Sequence, residues 1–275
     1  MIIPDENTSS CTGELVAEDT VTVQVALSIS PNDVWQLLTR PDLVAQWFGT
    51  LNAPLLSGES RFLDFGDGDF FRLDAIRLEP PHQVAYRWRF LDLGPQNIIT
   101  WTITPQDIGC LITVTDQEGG RSPETAHMLK EGWLDFTQRL VHFAMTGENA
   151  RYDWRKEIDG SIELPGESES AYEAILQPKT LTRWFALPTA SIQIAELCSE
   201  APNRLSFHLK DAEWLHDTMC ELTLLSRGER TILSFSHVGW EGIGGDGAYQ
   251  LQQRRQFCEF WIKALQKARD LAEQG

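Results

Sequence analysis

Residues 29–48 read ISPNDVWQLLTRPDLVAQWF, and residues 166–185 read GESESAYEAILQPKTLTRWF. At a constant offset of 137 residues, Trp35 meets Tyr172, Leu38 meets Ile175, Pro41 meets Pro178, and Trp47-Phe48 meets Trp184-Phe185. A proline and a Trp-Phe pair rarely recur together at one spacing by chance, so the 275-residue chain reads as two diverged copies of one unit. Residues 21–29 alternate and are rich in β-branched side chains, which signals a strand. Ser30-Pro31 then supply an N-cap and an N1 proline for a short helix, which Pro41 stops and restarts. In the second copy, residues 158–164 are the strand, Ser168 or Ser170 the cap, and Pro178 the break between two helices.

Beyond Phe48 the first copy continues as antiparallel strands at 61–65, 70–77, 84–90, 98–104 and 111–115. They are separated by turn signals at Gly66-Asp67-Gly68, Pro80-Pro81, Gly94-Pro95 and Asp107-Ile108-Gly109. A closing helix over 123–145 sets Leu129, Trp133, Phe136, Leu140 and Phe143 on one stripe. The second copy repeats the end of this plan with strands 205–209, 219–225 and 231–238 and a helix over 248–272, striped by Leu251, Cys258, Trp261 and Leu265. It is shorter: about 42 residues separate Trp-Phe from the strand end at Phe90, against about 24 to the one near Leu209. The second copy is therefore expected to lack the strand 61–65 and to have a smaller or more open groove. The polar stretch 146–156, with Gly147 ending the first closing helix, is the linker. The expected division is a tail at 1–19, a first domain at 20–148 and a second at 149–275.

A strand, two short helices ending in Trp-Phe, antiparallel strands and a long C-terminal helix containing Gly132-Trp133 resemble the heat-shock-protein-90 ATPase-activator-homologue branch of the START-like (SRPBCC) superfamily. The resemblance covers nearly the whole chain in two passes. The second copy departs from it by lacking Gly-Trp, with Glu259-Phe260-Trp261 nearby instead. The resemblance implies an α+β chain of two tandem helix-grip domains, each a curved antiparallel sheet gripping its long C-terminal helix, the second shortened. It also implies a cavity between sheet and helix that in relatives holds apolar molecules; some relatives are polyketide aromatase/cyclases and others co-chaperones.

Composition narrows the partners. The net charge is −17, with 21 acids against 9 Lys/Arg in residues 1–150 and 19 against 14 in 151–275. Such a field repels phosphate backbones and anionic bilayers, so neither nucleic acid nor membrane is an expected partner, whereas a basic protein could meet the acidic surface. Cys11, Cys110, Cys198, Cys220 and Cys258 form no C-x-x-C pair and read as reduced core thiols. Residues 1–20 lack a basic start and an apolar run, and no stretch of about 18 apolar residues follows, so the expected location is cytoplasmic.

Period-2 alternation points Val84, Tyr86, Trp88 and Phe90 to one face and Ala85, Arg87 and Arg89 to the other. Ile99, Trp101 and Ile103 join the inner wall, and Phe71, Leu73 and Ala75 complete it. The expected ligand-binding set is Phe71, Tyr86, Trp88, Trp101, His127, Trp133 and Phe136. So aromatic and dry a wall suits a flat apolar small molecule, although the same residues would also fill an ordinary core. Gly132, unfavourable inside a helix, calls for close approach of sheet or ligand or for packing against a bulky neighbour such as Trp101. His127 and Tyr86 are the one pair that could move a proton or orient a ligand. The other histidines lack metal spacing, Asp64, Asp67 and Asp69 read as a solvated turn rather than a calcium loop, and Gly239–Gly247 reads as a lid or turn. Arg254-Arg255 could meet an anionic head group if one faces inward, or be solvated or paired with a nearby acid such as Glu259. No catalytic set, metal or cofactor is expected. The leading reading is a non-enzymatic binding protein with its ligand in the first domain and the second serving packing or interaction. A co-chaperone-like module and a two-domain aromatase/cyclase are the alternatives.

Overall fold

The computed structural model describes residues 11–17, 19–119, 121, 123–227 and 230–274. The chain forms two compact units: Met1–Asp64, Arg72–Trp88 and Gln96–Tyr152 make the first, and Phe65–Phe71, Arg89–Pro95 and Asp153–Gly275 the second.

The first unit is built on an eight-stranded sheet: β1 (Cys11–Ala17), β2 (Thr20–Leu27), β3 (Thr50–Leu51), β4 (Ser60–Asp64), β5 (Phe70–Glu79), β6 (Gln83–Phe90), β7 (Asn97–Pro105) and β8 (Cys110–Gln117), in the order β1-β2-β8-β7-β6-β5-β4-β3. Between β2 and β3 lie α1 (Pro31–Thr39) and α2 (Pro41–Val44), and α3 (Pro123–Thr146) closes the unit against β1 and β2. Ser30 caps α1 as its sequence demands, Oγ accepting from Asp33 N at 3.2 Å, with Pro31 in the first turn. In β2, Val21, Val23, Val25 and Leu27 are all buried, the period-2 consequence of one face meeting a core. Ala85 is buried too, so the opposite face of β6 is not wholly solvated, although Arg87 is exposed.

Part of the expected tail is strand: β1 pairs with β2 from Cys11↔Val25 to Ala17↔Thr20. Its sequence, CTGELVA, breaks alternation with Gly13 and Glu14, which hides it from a periodicity reading. Residues 1–10 of that tail lie outside the described residues. The linker expected at 146–156 begins as a C-terminal cap, with Gly147 at φ 73° and its N–H donating to Phe143 O at 2.8 Å.

The second unit carries a five-stranded sheet of β9 (Ile158–Pro165), β10 (Gln193–Glu200), β11 (Arg204–Lys210), β12 (Thr218–Arg227) and β13 (Arg230–Val238), ordered β10-β11-β12-β13-β9. This order repeats β5-β6-β7-β8-β2, and among the described residues nothing corresponds to β1, β3 or β4. After β9 come α4 (Ser168–Ala171), which runs into a π-helical turn at Tyr172–Leu176, and α5 (Pro178–Leu181); α6 (Gly247–Gln274) ends the unit. Two expectations need correction. Strand β10 carried no sequence signal because it is an edge strand, largely exposed, with a bulge between Ala195 and Cys198. The cap of α4 is Glu167, without a side-chain bond, because Ser168 Oγ instead meets Ser226 Oγ at 3.0 Å.

Candidate functional site

In the first unit the aromatic side chains of β6, β7, α3 and the Trp-Phe motif converge. Trp133 stacks on Trp88 with centroids 5.0 Å apart and an interplanar angle of 19°, and meets Trp101 edge-on at 5.6 Å. Phe48 packs edge-to-face on Phe136 at 4.6 Å and also faces Trp88 and Trp133. Tyr86 lies beside Trp88, and its hydroxyl oxygen accepts from the Trp101 indole N–H at 3.0 Å. Burial pushes that phenol well above its ordinary pKa, so it stays protonated.

Beneath this cluster lies a buried carboxylate. Asp116 accepts from Asn97 Nδ2 at 2.9 Å, from Arg121 Nη2 at 2.6 Å and from the Trp133 indole N–H at 2.9 Å, and both Asp116 and Arg121 are closed to solvent. These bonds orient Trp133 on α3 and satisfy the carboxylate. Asp116 follows Ile112 and Val114 on the inward phase of β8, so alternation alone would have identified it as an inward acid.

The second unit repeats this arrangement with different chemistry. His237 on β13 and Thr218 at the start of β12 hold the register positions of Asp116 and Asn97. Trp261 on α6 donates its indole N–H to His237 Nδ1 at 3.0 Å, and His237 Nε2 meets Thr218 Oγ1 at 2.8 Å. Trp261 thus stands where Trp133 does, and Phe260 stands where Gly132 does. Phe260 is buried against Phe185, the counterpart of Phe48, at 4.9 Å. Phe207 replaces Tyr86 in the β-ladder, and Leu209 replaces Trp88.

Of the seven residues expected at the site, Tyr86, Trp88, Trp101, Trp133 and Phe136 come together. Phe71 does not join them; it packs on Phe65 at 5.9 Å and Phe90 at 5.1 Å within the second unit. His127 is exposed near the start of α3, whereas Tyr86 is buried, so the expected proton-moving pair is not assembled. Gly132 has neither the close neighbour nor the bulky packing partner expected of it, for a Cβ added there meets nothing within 4 Å.

The acidic turn is not solvated: Asp67 and Asp69 are buried. Asp69 Oδ2 lies 2.6 Å from Arg254 Nη2 and 3.3 Å from Arg155 Nη1, and Arg254 also donates to Asp67 O and Glu157 O, each at 2.6 Å. Arg254 therefore meets these groups rather than Glu259 or a ligand, and Arg255 donates to Gly66 O. Burial outweighs the neighbouring guanidiniums and pushes the Asp69 carboxyl up to about 6. Among the described residues no cluster of three or more His, Cys, Asp or Glu could hold a metal ion, and no helix is long and apolar enough to cross a membrane. Cys110, Cys220 and Cys258 are buried free thiols, while Cys198 is exposed.

The family described as Activator of Hsp90 ATPase homolog 1-like protein matches residues 28–144. Among solved structures, the chain is 33% identical to DynU16, a protein of the dynemicin biosynthetic locus. That match covers 92% of this chain and 99% of DynU16 with a TM-score of 0.84. MLL2253 from Mesorhizobium loti is 21% identical over 46% of this chain and 96% of its own, at a TM-score of 0.43. CalU16 from Micromonospora echinospora is 16% identical over 51% of this chain and 84% of its own, at 0.41. No curated protein matches the chain. The likeness to DynU16 spans both units.

Proposed function

Because the chain belongs to the family of Activator of Hsp90 ATPase homolog 1-like proteins, we propose that its first unit holds a flat, apolar small molecule non-covalently, without transforming it. The observation that supports this most is the open space at Gly132. In the second unit the same helical position carries Phe260, whose ring packs on Phe185 and Trp261. In the first unit a Cβ at Gly132 meets nothing within 4 Å, although Trp133 and Phe136 flank the site on the same helix. A glycine in a helix interior costs about 1 kcal/mol relative to alanine, and room for a ligand ring offsets that cost.

The ligand would lie against Phe48, Trp88, Trp133 and Phe136, with Tyr86 and Trp101 forming the floor. Burial of about 300 Å² of apolar ligand surface is worth at most about 7 kcal/mol, in the range of ten-micromolar dissociation constants. The groups around the site favour holding over reacting, since the Tyr86 hydroxyl is engaged by Trp101 and Asp116 is fully bonded. DynU16 comes from a biosynthetic locus, which favours a small molecule over a protein client as the occupant. The second unit, its corresponding space filled by Phe260, serves packing or interaction.

Titration with neutral polycyclic aromatic probes, followed by quenching of tryptophan emission, tests this reading. Saturable quenching that Gly132→Phe abolishes is expected. Quenching that is linear in probe, or unaffected by Gly132→Phe, would overturn it.

A further inference from the structure

The two units differ on the face of the closing helix beside the Trp-Phe motif. In the first, the chain leaving α3 folds back over that face. Ala150 N donates to Gln46 O and Arg139 Nη1 to Ala150 O, both at 2.8 Å, while Arg151 Nη1 reaches Thr50 Oγ1 at 2.8 Å. Tyr152 completes the strap. Its ring meets Phe136 edge-on at 5.8 Å and lies 3.7 Å beneath the Arg139 guanidinium, and its hydroxyl donates to Asp135. An extended segment with an aromatic side chain thus fills the groove.

In the second unit the same groove is open. A cavity of about 490 Å³ lies between α6 and the segment after Trp184, lined among others by Trp184, Pro188, Phe260, Lys263, Ala264 and Lys267. Matching Trp133 to Trp261 along the helices puts Lys263 in place of Asp135, Ala264 in place of Phe136 and Lys267 in place of Arg139. Arg183 stands in place of Gln46, and among the described residues nothing donates to its carbonyl. Three strap contacts therefore have a waiting counterpart: a backbone acceptor at Arg183, a donor at Lys267, and room for a ring where alanine replaces phenylalanine, whereas Leu187 stands in place of Thr50 and offers no hydroxyl. One contact changes sign, because Lys263 stands where Asp135 takes the tyrosine hydroxyl.

We propose that this groove docks an extended, acidic peptide segment of another protein, seating an aromatic side chain over Ala264 and a carboxylate against Lys263 and Lys267. Charge selects that partner. Both lysines are exposed and, among the described residues, form no ion pair, in a chain of net charge −17. Like charges at i and i+4 disfavour a helix by a few tenths of a kcal/mol, a penalty that an anionic occupant relieves. Glu259, which also lines the groove, limits the attraction. This gives the interaction role of the second unit a partner of defined chemistry and does not depend on what the first unit holds.

The test is calorimetric titration of the full chain with a capped peptide, Ser-Glu-Ala-Glu-Tyr-Glu-Gly, at about 50 mM salt, where charge contacts are least screened. Saturable one-to-one binding is expected, weakened about tenfold or more in Lys263→Glu/Lys267→Glu and tightened in Glu259→Lys. All three positions are exposed, so unchanged melting should accompany these shifts. Gly132→Phe should bind the peptide as the wild type does, which separates this site from the small-molecule site. No saturable heat up to about 1 mM peptide, equal affinity for a peptide with lysines in place of the glutamates, or binding unchanged in the double variant would overturn the proposal. So would binding of free 4-hydroxyphenylacetate at the two lysines without binding of the peptide.

Discussion

Trp261 donates its indole N–H to Nδ1 of His237 at 3.0 Å, so that nitrogen is an acceptor and the imidazole carries its proton on Nε2, facing Thr218 Oγ1 at 2.8 Å. In the other unit Trp133 makes the same donation to Asp116. A closing-helix tryptophan is thus oriented by a buried acceptor on the neighbouring strand in both units, with a carboxylate in one and a neutral imidazole in the other. The carboxylate has Arg121 to balance its charge. The imidazole needs no such partner while it stays neutral.

Protonating His237 would make Nδ1 a donor facing the Trp261 indole N–H, in a fully buried site near Arg254. Burial first, and then that guanidinium, lower its pKa from 6.5 to about 3. The unfolded chain takes up the proton near 6.5 and the folded chain only near 3. Stability is therefore complete above about 6.5 and falls as pH drops through that window, by at most about 1.4 kcal/mol per unit. His237→Gln keeps an acceptor and a donor but does not titrate. In urea unfolding between pH 7 and pH 5, the wild type should lose about 2 kcal/mol more than the variant; parallel curves would contradict the assignment.

Asp69 titrates in the opposite sense. Its folded-state pKa of about 6 lies above the unfolded value, so its contribution is present below about pH 4 and is lost as pH rises through 6. At neutral pH it is nonetheless the partner of a buried arginine. Asp69→Ala leaves Arg254 without its 2.6 Å carboxylate contact and should destabilise the chain by about 3–5 kcal/mol. Asp69→Leu with Arg254→Met, which removes both charges, should cost less. A double variant as unstable as Asp69→Ala would show that the ion pair is not the source of the effect.

Asp116→Ala should destabilise the first unit by a similar amount, about 3–5 kcal/mol, because it strands Arg121 and frees the Trp133 indole. Near-ultraviolet circular dichroism should weaken as the Trp133 ring loses its fixed orientation, while far-ultraviolet signal is retained below the melting point. An unchanged aromatic signal would argue that stacking on Trp88 alone orients the ring.

Gly132→Ala should raise stability by about 0.5–1 kcal/mol, since the site is helical and the added methyl meets nothing. A thermal melt shows this directly. A loss of stability instead would mean that the space beside Gly132 is not open.

The sequence exposed most of this architecture because period and punctuation agree. Alternating valines marked β2, Ser30-Pro31 marked the start of α1, and the Trp-Phe repeat marked the second unit. Strand β10 was hidden by its exposed, bulged edge, and β1 by Gly13 and Glu14. The aromatic wall is legible from alternation, and the same alternation puts Asp116 and His237 on the inward phase of their strands. The Asp69–Arg254 pair was not legible at all, because its partners lie 185 positions apart and FGDGDF by itself looks like a hydrated turn. The contrast between Gly132 and Phe260 became visible only once the hydrogen bonds of Trp133 and Trp261 aligned the two helices.

The most direct test is native mass spectrometry of the chain purified from its own host, wild type beside Gly132→Phe, under gentle and denaturing conditions. A passenger of one or a few discrete masses, apolar on extraction, released on denaturation and missing from the variant, is the expected result. A clean unliganded mass for both proteins after incubation with host extract would contradict the claim that the first unit holds a small molecule at Gly132.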